Sequence, residues 1–321
     1  AVLAGIVFAI ITADVFAQVK YKSEFEDFLW EFDKKYASRN EYDERFNIFA
    51  NNMKKVEKMN NENKYVNYGV TKFSDLTEEE FEKLFLNRNI DIDLKDIPMS
   101  IVNDTKLPPN FDWRSKNVVS AVEDQGSCRS SWAFSVVSNV ESLHAIKNKD
   151  LVTLSKQDLI DCDRRNFGCC GGCPIKAFKF IIQQGGLVKE EDYRYLGKVG
   201  MCRNKGMNST VCFQNFTLIP KNEYKMAARL YQEGPISVYF NGKDLQHYIK
   251  GVSRPSPRRC IPNPQNANYA ALIVGFGKER GVPYWIIKNS LGTNFGEKGY
   301  YRLIRGRNTC GIRNFPSSAI L

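Results

Sequence analysis

The stretch SCRSSWAFS at 127–135 is the part of the sequence best suited to nucleophilic chemistry, because Ser131 begins a predicted helix over 131–148. A serine hydroxyl attacks a carbonyl group only when a base within hydrogen-bond reach removes its proton. The chain contains only two histidines, His144 and His247. His144 lies about three and a half helical turns beyond Ser131, and His247 belongs to a different segment, so we interpret both as surface or packing residues. Ser131 is therefore a candidate nucleophile without an evident base.

The beginning of the chain and its cysteines indicate the secretory pathway. Residues 1–17, AVLAGIVFAIITADVFA, form an apolar run that ends in small residues, as in a signal peptide, and no later stretch is long and apolar enough to cross a bilayer. Nine cysteines in a secreted chain predict disulfides, and the odd number leaves at least one thiol over or paired with another chain. Sequons for glycosylation occur at Asn103, Asn208 and Asn215. We expect an extracellular or endolysosomal glycoprotein.

Charge is distributed unevenly along the chain. Of the 46 basic and 36 acidic residues, 15 and 20 lie in positions 1–106, whereas 31 and 16 lie in positions 107–321. An acidic first segment and a strongly basic second segment favour docking of one on the other. A secreted basic chain without a zinc-finger, RNA-recognition or helix-turn-helix pattern is not expected to bind nucleic acid. Anionic glycans, membranes or acidic proteins are better suited as partners.

Helical periodicity dominates the first half of the chain, and strand-like segments dominate the second. Residues 20–62 have apolar residues at helical spacing, and SKQDLIDC and PIKAFKFIIQQG predict further helices. Asp75 or Thr77 is placed to cap another helix at EEEFEKLFL. The segments GPISVYF, AALIVGFG, VPYWIIKNS and KGYYRLIRG are rich in β-branched and aromatic residues, which is typical of strands. Residues 88–106 are polar and without period, as in an exposed linker. The order predicts an α+β protein with a helical half, a β half and a cleft between them.

The ordered motifs after the signal resemble those of papain-family cysteine protease precursors of the cathepsin L-like kind. An inhibitory prodomain is indicated by a spaced series that comprises Glu41, Arg45, Phe49, Asn52, Val56 and Asn60, then Gly69, Phe73 and Asp75. The later part contains, in family order, FDWRS, DQGSC, SWAFS, LSKQDLIDCD, GCCGG, KNSLGTNFGEKGYYRL and CGI. The resemblance implies a signal peptide over 1–17, an inhibitor-type helical prodomain over 18–106, and a papain-like domain over 107–321 whose helical half faces an antiparallel, barrel-like β half.

Two catalytic positions of the family are altered in this chain. The family's chemistry requires a cysteine thiolate at a helix N-terminus and a histidine on the opposite wall. The resemblance puts Ser131 at the cysteine position and Tyr269 at the histidine position, and it implies that Asn289 and Gln125 retain the orienting amide and the oxyanion donor. A tyrosine with a pKa of about 10 is protonated at neutral pH and is no base there. The resemblance therefore implies a catalytically inactive homologue.

The substrate groove implied by the resemblance is altered as well. Arg129 stands where the family has glycine, so we expect its long side chain to obstruct the S1 region. Leu291 stands where a tryptophan normally covers the His–Asn hydrogen bond. Tyr239 and Phe315 fall where smaller residues line S2, so these rings either fill the S2 pocket or pack only within the β half.

The cysteines retain the family's framework and add three further thiols. The resemblance implies the disulfides Cys128–Cys169, Cys162–Cys202 and Cys260–Cys310. Of the other three, Cys173 is expected at the edge of the cleft, and either Cys173 or Cys170 is placed to bridge to Cys212. We expect no metal site and no cofactor, because the secretory pathway oxidises such thiols and no histidine lies near them.

These observations predict a secreted, non-catalytic papain-like homologue that binds a protease inhibitor, a peptide, another protein or an anionic glycan. Gly171 and Gly172 belong to a loop whose backbone, in the family, pairs with an extended peptide, which favours binding without cleavage. The alternatives are an active cysteine-type endopeptidase with an unusual site and a structural or matrix protein. The chain's own prodomain is an expected partner, and we expect its removal, if it occurs, to require another protease.

Overall fold

The computed structural model describes residues 20–87 and 92–321, so the predicted signal peptide and the first residues of the predicted linker lie outside the described residues. The helices are α1 (20–31), α2 (Arg39–Glu62), α3 (Glu78–Phe85), α4 (Ser131–Asn148), α5 (Lys156–Cys162), α6 (Pro174–Gln184) and α7 (Glu223–Glu233). The strands are β1 (Val66–Tyr68), β2 (Phe111–Asp112), β3 (Asn215–Leu218), β4 (Ile236–Phe240), β5 (Tyr248–Ser253), β6 (Tyr269–Glu279), β7 (Val282–Lys288), β8 (Tyr300–Ile304) and β9 (Ser317–Ile320). The α+β architecture predicted from the sequence is confirmed.

The helices α1, α2 and α3 pack together ahead of the papain-like domain. Phe25 of α1 and Phe49 of α2 are fully buried, with ring centroids 5.3 Å apart. Asn52 of α2 donates through its side chain to two carbonyl groups of the segment that precedes α3, which explains a buried polar residue on an apolar face. Thr77 and Glu80 form a reciprocal capping box at the start of α3, as the sequence predicts for Thr77.

The β half is a nine-stranded sheet that includes a strand from the prodomain. Its order is β1-β5-β8-β7-β6-β4-β9-β3, and β2 pairs with β6. Strand β1 pairs antiparallel with β5, where Val66 lies opposite Gly251. Gly251 has φ +95°, and a Cβ there would lie 2.4 Å from the carbonyl oxygen of Tyr65, so only glycine allows this close approach. The prodomain therefore covers one edge of the sheet.

Helix α4 is the centre of the helical half and the contact between the two halves. Its sequence is rich in small and apolar residues, and residues 131–143 are buried throughout. The Ser135 hydroxyl donates to the Ala271 carbonyl of β6 at 2.7 Å, and the Asn139 side chain donates to the Pro235 carbonyl at 2.8 Å. These bonds let a helix carry polar residues into the core and fix its N-terminus at the boundary between the halves.

The predicted exposed linker is partly docked on the protein: Pro98, Met99 and Ile101 are exposed, whereas the prediction is wrong for Val102. The amide of Ser100 donates to the Leu218 carbonyl at 2.8 Å, Leu218 donates to Pro98 at 2.9 Å, and Val102 is buried. These bonds extend the sheet beside β3, and the composition alone did not indicate them. The sequon residues Asn103, Asn208 and Asn215 are all exposed. Within 20–87 and 92–321, no helix is long and apolar enough to cross a membrane.

Candidate functional site

Ser131 lies at the first position of α4, fully buried at the junction of the two halves. Its Oγ accepts a hydrogen bond from the Ala270 amide of β6 at 3.2 Å and from Nδ2 of Asn87 at 3.1 Å. Both partners are donors, and no acceptor for the serine proton is found among the described residues. In this arrangement both described hydrogen bonds use the hydroxyl oxygen as an acceptor.

Tyr269 begins β6 and is fully buried. Its hydroxyl pairs with the Ser290 hydroxyl at 3.2 Å and accepts from the Ser290 amide at 3.4 Å. Burial raises the pKa of Tyr269 well above its usual value, so the phenol stays protonated. The hydroxyl groups of Tyr269 and Ser131 are not bonded to each other. Ser290 links the phenol to Oε1 of Gln125.

The two retained amides have different surroundings. Nε2 of Gln125 donates to the Phe85 carbonyl of the prodomain at 3.0 Å, and its Oε1 accepts from the Ser290 hydroxyl at 2.8 Å. The side chain of Asn289 is buried, and neither its oxygen nor its nitrogen has a partner among the described residues. An unpaired buried amide is costly, and the Tyr269 hydroxyl bonds to Ser290 and not to Asn289. Leu291 is fully buried beside it in sequence.

The side chains that the resemblance assigns to the specificity region contact other parts of the chain. Arg129 bends back, so that its Nε donates to the Cys169 carbonyl at 3.3 Å, and the side chain lies along that wall. Tyr239 and Phe315 are buried in the core of the helical half, with ring centroids 6.3 Å apart. Cys173 belongs to the same cluster and is fully buried, so its thiol is not exposed while the prodomain is in place. Burial raises the pKa of the Cys173 thiol to about 11, which disfavours the thiolate at neutral pH.

The two glycines of the groove loop differ in their backbone hydrogen bonds. The Gly171 amide donates to Gly168 at 3.3 Å, and its carbonyl accepts from Phe167 at 3.0 Å, so Gly171 does not offer the free strand edge that the sequence led us to expect. Across the described residues no hydrogen bond involves the backbone of Gly172. A Cβ at Gly172 would lie 2.5 Å from the Trp132 ring, so a side chain does not fit at this position.

The end of α3 and the residues after it occupy the groove. Besides the bond from Gln125 to Phe85, the Asn87 amide donates to the Asn268 carbonyl at 2.6 Å, and Leu86 is almost fully buried. Asn87 therefore contacts both walls of the groove, through Asn268 and through Ser131. Asn87 is not predicted from the sequence, because nothing in its local pattern sets it apart. Ser290 is not predicted either, although its place directly after Asn289 is a signal that could have indicated it.

Both histidines lie in other surroundings. His144, within α4, is partly exposed and pairs with the Asn148 side chain at 2.9 Å. His247 is 2% exposed, and its carbonyl accepts from the Gly69 amide of the prodomain at 2.9 Å. Burial, with the nearby charges of Arg259 and Lys55, lowers the pKa of His247 to about 3.

The disulfides hold the loops around the site. Three are formed, and they are the pairs that the resemblance implies: Cys128–Cys169, Cys162–Cys202 and Cys260–Cys310. Neither bridge to Cys212 is formed, since Cys170 and Cys212 are exposed thiols and Cys173 is a buried one. Among the described residues, no group of three or more His, Cys, Asp or Glu side chains is arranged to hold a metal ion.

Comparison with known families accounts for both parts of the chain. Residues 25–81 match the cathepsin propeptide inhibitor domain, and residues 107–320 match the family described as papain family cysteine protease. The chain belongs to the papain family. Its fold is papain-like with a propeptide, and its architecture matches that of solved procathepsins.

Individual papain-family relatives span most of the chain. Cathepsin F of Mus musculus is 40% identical over 306 residues, which cover 94% of this chain and 66% of that protein. Cysteine proteinase 15A of Pisum sativum is 38% identical over 312 residues, which cover 92% and 85%. The solved procathepsin L2 from the larval midgut of Tenebrio molitor is 31% identical, with a TM-score of 0.87, and the match covers 94% of this chain and 100% of that one.

Proposed function

We propose that this papain-family member binds and does not cleave peptides. The observation that carries the proposal is the environment of Ser131, whose hydroxyl accepts from Asn87 and Ala270 and has no base beside it. In a papain-like site a histidine supplies that base. Here the corresponding phenol, on Tyr269, is buried, protonated and bonded to Ser290.

The proposed ligand of the groove is a peptide, or a protein that presents an extended segment, such as a protease inhibitor. The unbonded backbone of Gly172 supports pairing along one wall. The bonds from Gln125 to Phe85 and from Asn87 to Asn268 support the binding of an extended segment between the walls. The filled region around Tyr239 and Phe315 supports a shallow binding mode, without a deep side-chain pocket. Three disulfides support action in an extracellular or endolysosomal compartment.

The test of this proposal is a hydrolysis assay on the matured protein. The precursor is cut in the linker by an added protease, the protease is removed, and fluorogenic peptides and thiol- or hydroxyl-directed peptidyl probes are applied. We expect no turnover above that of Ser131→Ala, which serves as the matched control because it removes only the candidate hydroxyl. Turnover or labelling that disappears in Ser131→Ala would show an active peptidase with an unusual site and refute the proposal.

A paired substitution asks whether the loss of catalysis is confined to two positions. We expect Ser131→Cys with Tyr269→His to recover less than about 1% of the activity of an active relative. One orienting partner, Asn289, is in place, but the buried position disfavours the imidazolium that the thiolate needs. Arg129 and Leu291 also stay unchanged in that variant.

Efficient self-processing of the wild-type precursor would contradict the proposal independently, because we expect maturation to depend on another protease.

A further inference from the structure

A proline-rich loop at 254–259, with the sequence RPSPRR, separates two cavities on the β half away from the groove. We name it the arginine loop. The larger cavity has a volume of about 710 Å³ and the smaller one about 280 Å³, and Arg254, Pro255 and Ser256 line both of them. Two prolines restrict the backbone of the loop, and the disulfide from Cys260 anchors its end, so the arginines are held in place before any ligand binds.

The two cavities bring together arginines from three separate segments. Arg254, Arg259 and Arg280 line the larger cavity, and Arg254 and Arg307 line the smaller one. Of these four, Arg259 alone pairs with a carboxylate among the described residues, at 3.0 Å from Asp244. The other three have no described ion pair. The prodomain contributes the opposite wall of the larger cavity, where Lys64 adds a positive charge and Glu62 is the one acidic residue of the lining.

We propose that the arginine loop and its two cavities bind a sulfated glycan chain. Guanidinium groups bind sulfate in a forked geometry, and three of them here lack a carboxylate that would compete. A cavity of about 710 Å³ is within the size range of sites for organic ligands and exceeds the size of a single small anion. Because the two cavities share Arg254, a ligand that occupies both is elongated and carries repeated anionic groups. This glycan site lies outside the groove, so the proposal goes beyond the peptide binding inferred above.

The surroundings of the arginines favour a glycan over other polyanions. Single-stranded nucleic acid binds through exposed aromatic faces on which bases stack. The Arg254 guanidinium lies over the Tyr65 ring, 4.8 Å from its centroid, and Arg259 lies 5.8 Å from the centroid of Tyr68, which is buried, so a base would have to displace a guanidinium to stack on either ring. A bilayer surface is flat and does not enter a concave cavity between the prodomain and the loop. A flexible sulfated chain satisfies both constraints.

The experiment measures binding of a short heparin oligosaccharide to the intact precursor by calorimetry, and elution from a heparin column by salt. The test variant combines Arg254→Gln, Arg280→Gln and Arg307→Gln. The control variant combines Lys147→Gln, Arg164→Gln and Lys205→Gln, which lowers the net charge equally at exposed positions of the helical half. We expect the test variant to bind at least about tenfold more weakly and to show a smaller salt dependence, because fewer counterions are released. The control variant keeps wild-type binding.

Each outcome decides the proposal. An equal loss of binding in both variants would mean that total charge alone attracts the glycan, and unchanged binding in the test variant would mean that the loop is not the site; either result overturns the proposal. Desulfated heparin, single-stranded DNA and anionic lipid vesicles are measured alongside, and equal or tighter binding of any of these overturns the glycan assignment. Arg307→Gln alone, at an exposed side chain, provides a second variant if the triple variant unfolds early. Peptides are neither bound nor cleaved in this assay, so its result is separate from that of the groove proposal.

Discussion

Acid is expected to destabilise the precursor through one buried histidine. His247 is 2% exposed, its Nδ1 has no partner among the described residues, and burial with the charges of Arg259 and Lys55 lowers its pKa to about 3 from 6.5. The residue lies where the prodomain docks, because its carbonyl accepts from the Gly69 amide. Protonation of this ring would place an unpaired charge at that contact.

The direction and size of the effect follow from the two pKa values. Below pH 6.5 the unfolded chain takes up a proton at this histidine, whereas the folded chain does not until the pH approaches about 3. The stabilisation from a neutral His247 is therefore complete above pH 6.5 and is lost as the pH falls towards 3. At about 1.4 kcal/mol per pH unit, acidification from the upper limit to about pH 4.5 costs on the order of 3 kcal/mol.

The assay compares three proteins by guanidinium unfolding over this pH range. The difference in the free energy of unfolding between wild type and His247→Gln is expected to shrink by roughly 3 kcal/mol between neutral pH and about pH 4.5. His144→Gln is the matched control, since it removes the chain's other histidine at a partly exposed site. We expect it to change the pH dependence by less than about 0.5 kcal/mol. A constant difference for His247→Gln, or an equal change in both variants, would refute the reasoning.

Two further predictions concern buried charges. Tyr68 of β1 donates to the Asp244 carboxylate at 3.0 Å. Tyr68→Phe should therefore lower the free energy of unfolding by about 1.5–3 kcal/mol and accelerate hydrogen exchange of the amides joining β1 to β5 about ten- to a hundredfold. Tyr65→Phe, at an exposed ring, is the control, and equal acceleration in both variants would contradict the prediction. Glu141 is fully buried and lies 3.5 Å from Lys156. Glu141→Gln should therefore lower the free energy of unfolding, measured with guanidinium, by about 3 kcal/mol. A loss below about 1 kcal/mol would exclude the ion pair as a stabilising contact.

Local patterns predicted the elements that depend on neighbouring residues. Periodicity and small residues predicted the helix that starts at Ser131, the hydroxyl and acidic residues predicted the cap at Thr77, and β-branched segments predicted the strands. The ordered motifs predicted the papain-like fold with its propeptide, which the matching domains and solved relatives confirm. The resemblance also implies that Ser131 and Tyr269 stand at the family's cysteine and histidine positions, which stays a prediction.

The tertiary structure alone decided what surrounds these positions. Ser131 accepts from Asn87, 44 residues earlier, and from Ala270, 139 residues later, and neither contact leaves a mark on the sequence nearby. The burial of Cys173 and the internal bonds of Gly171 likewise arise from loop packing, which the neighbouring sequence does not indicate. The sequence determined which chemical groups the groove contains and which elements present them. Which donor meets which acceptor was decided by long-range packing, because hydrogen bonds depend on distances that only the folded chain fixes.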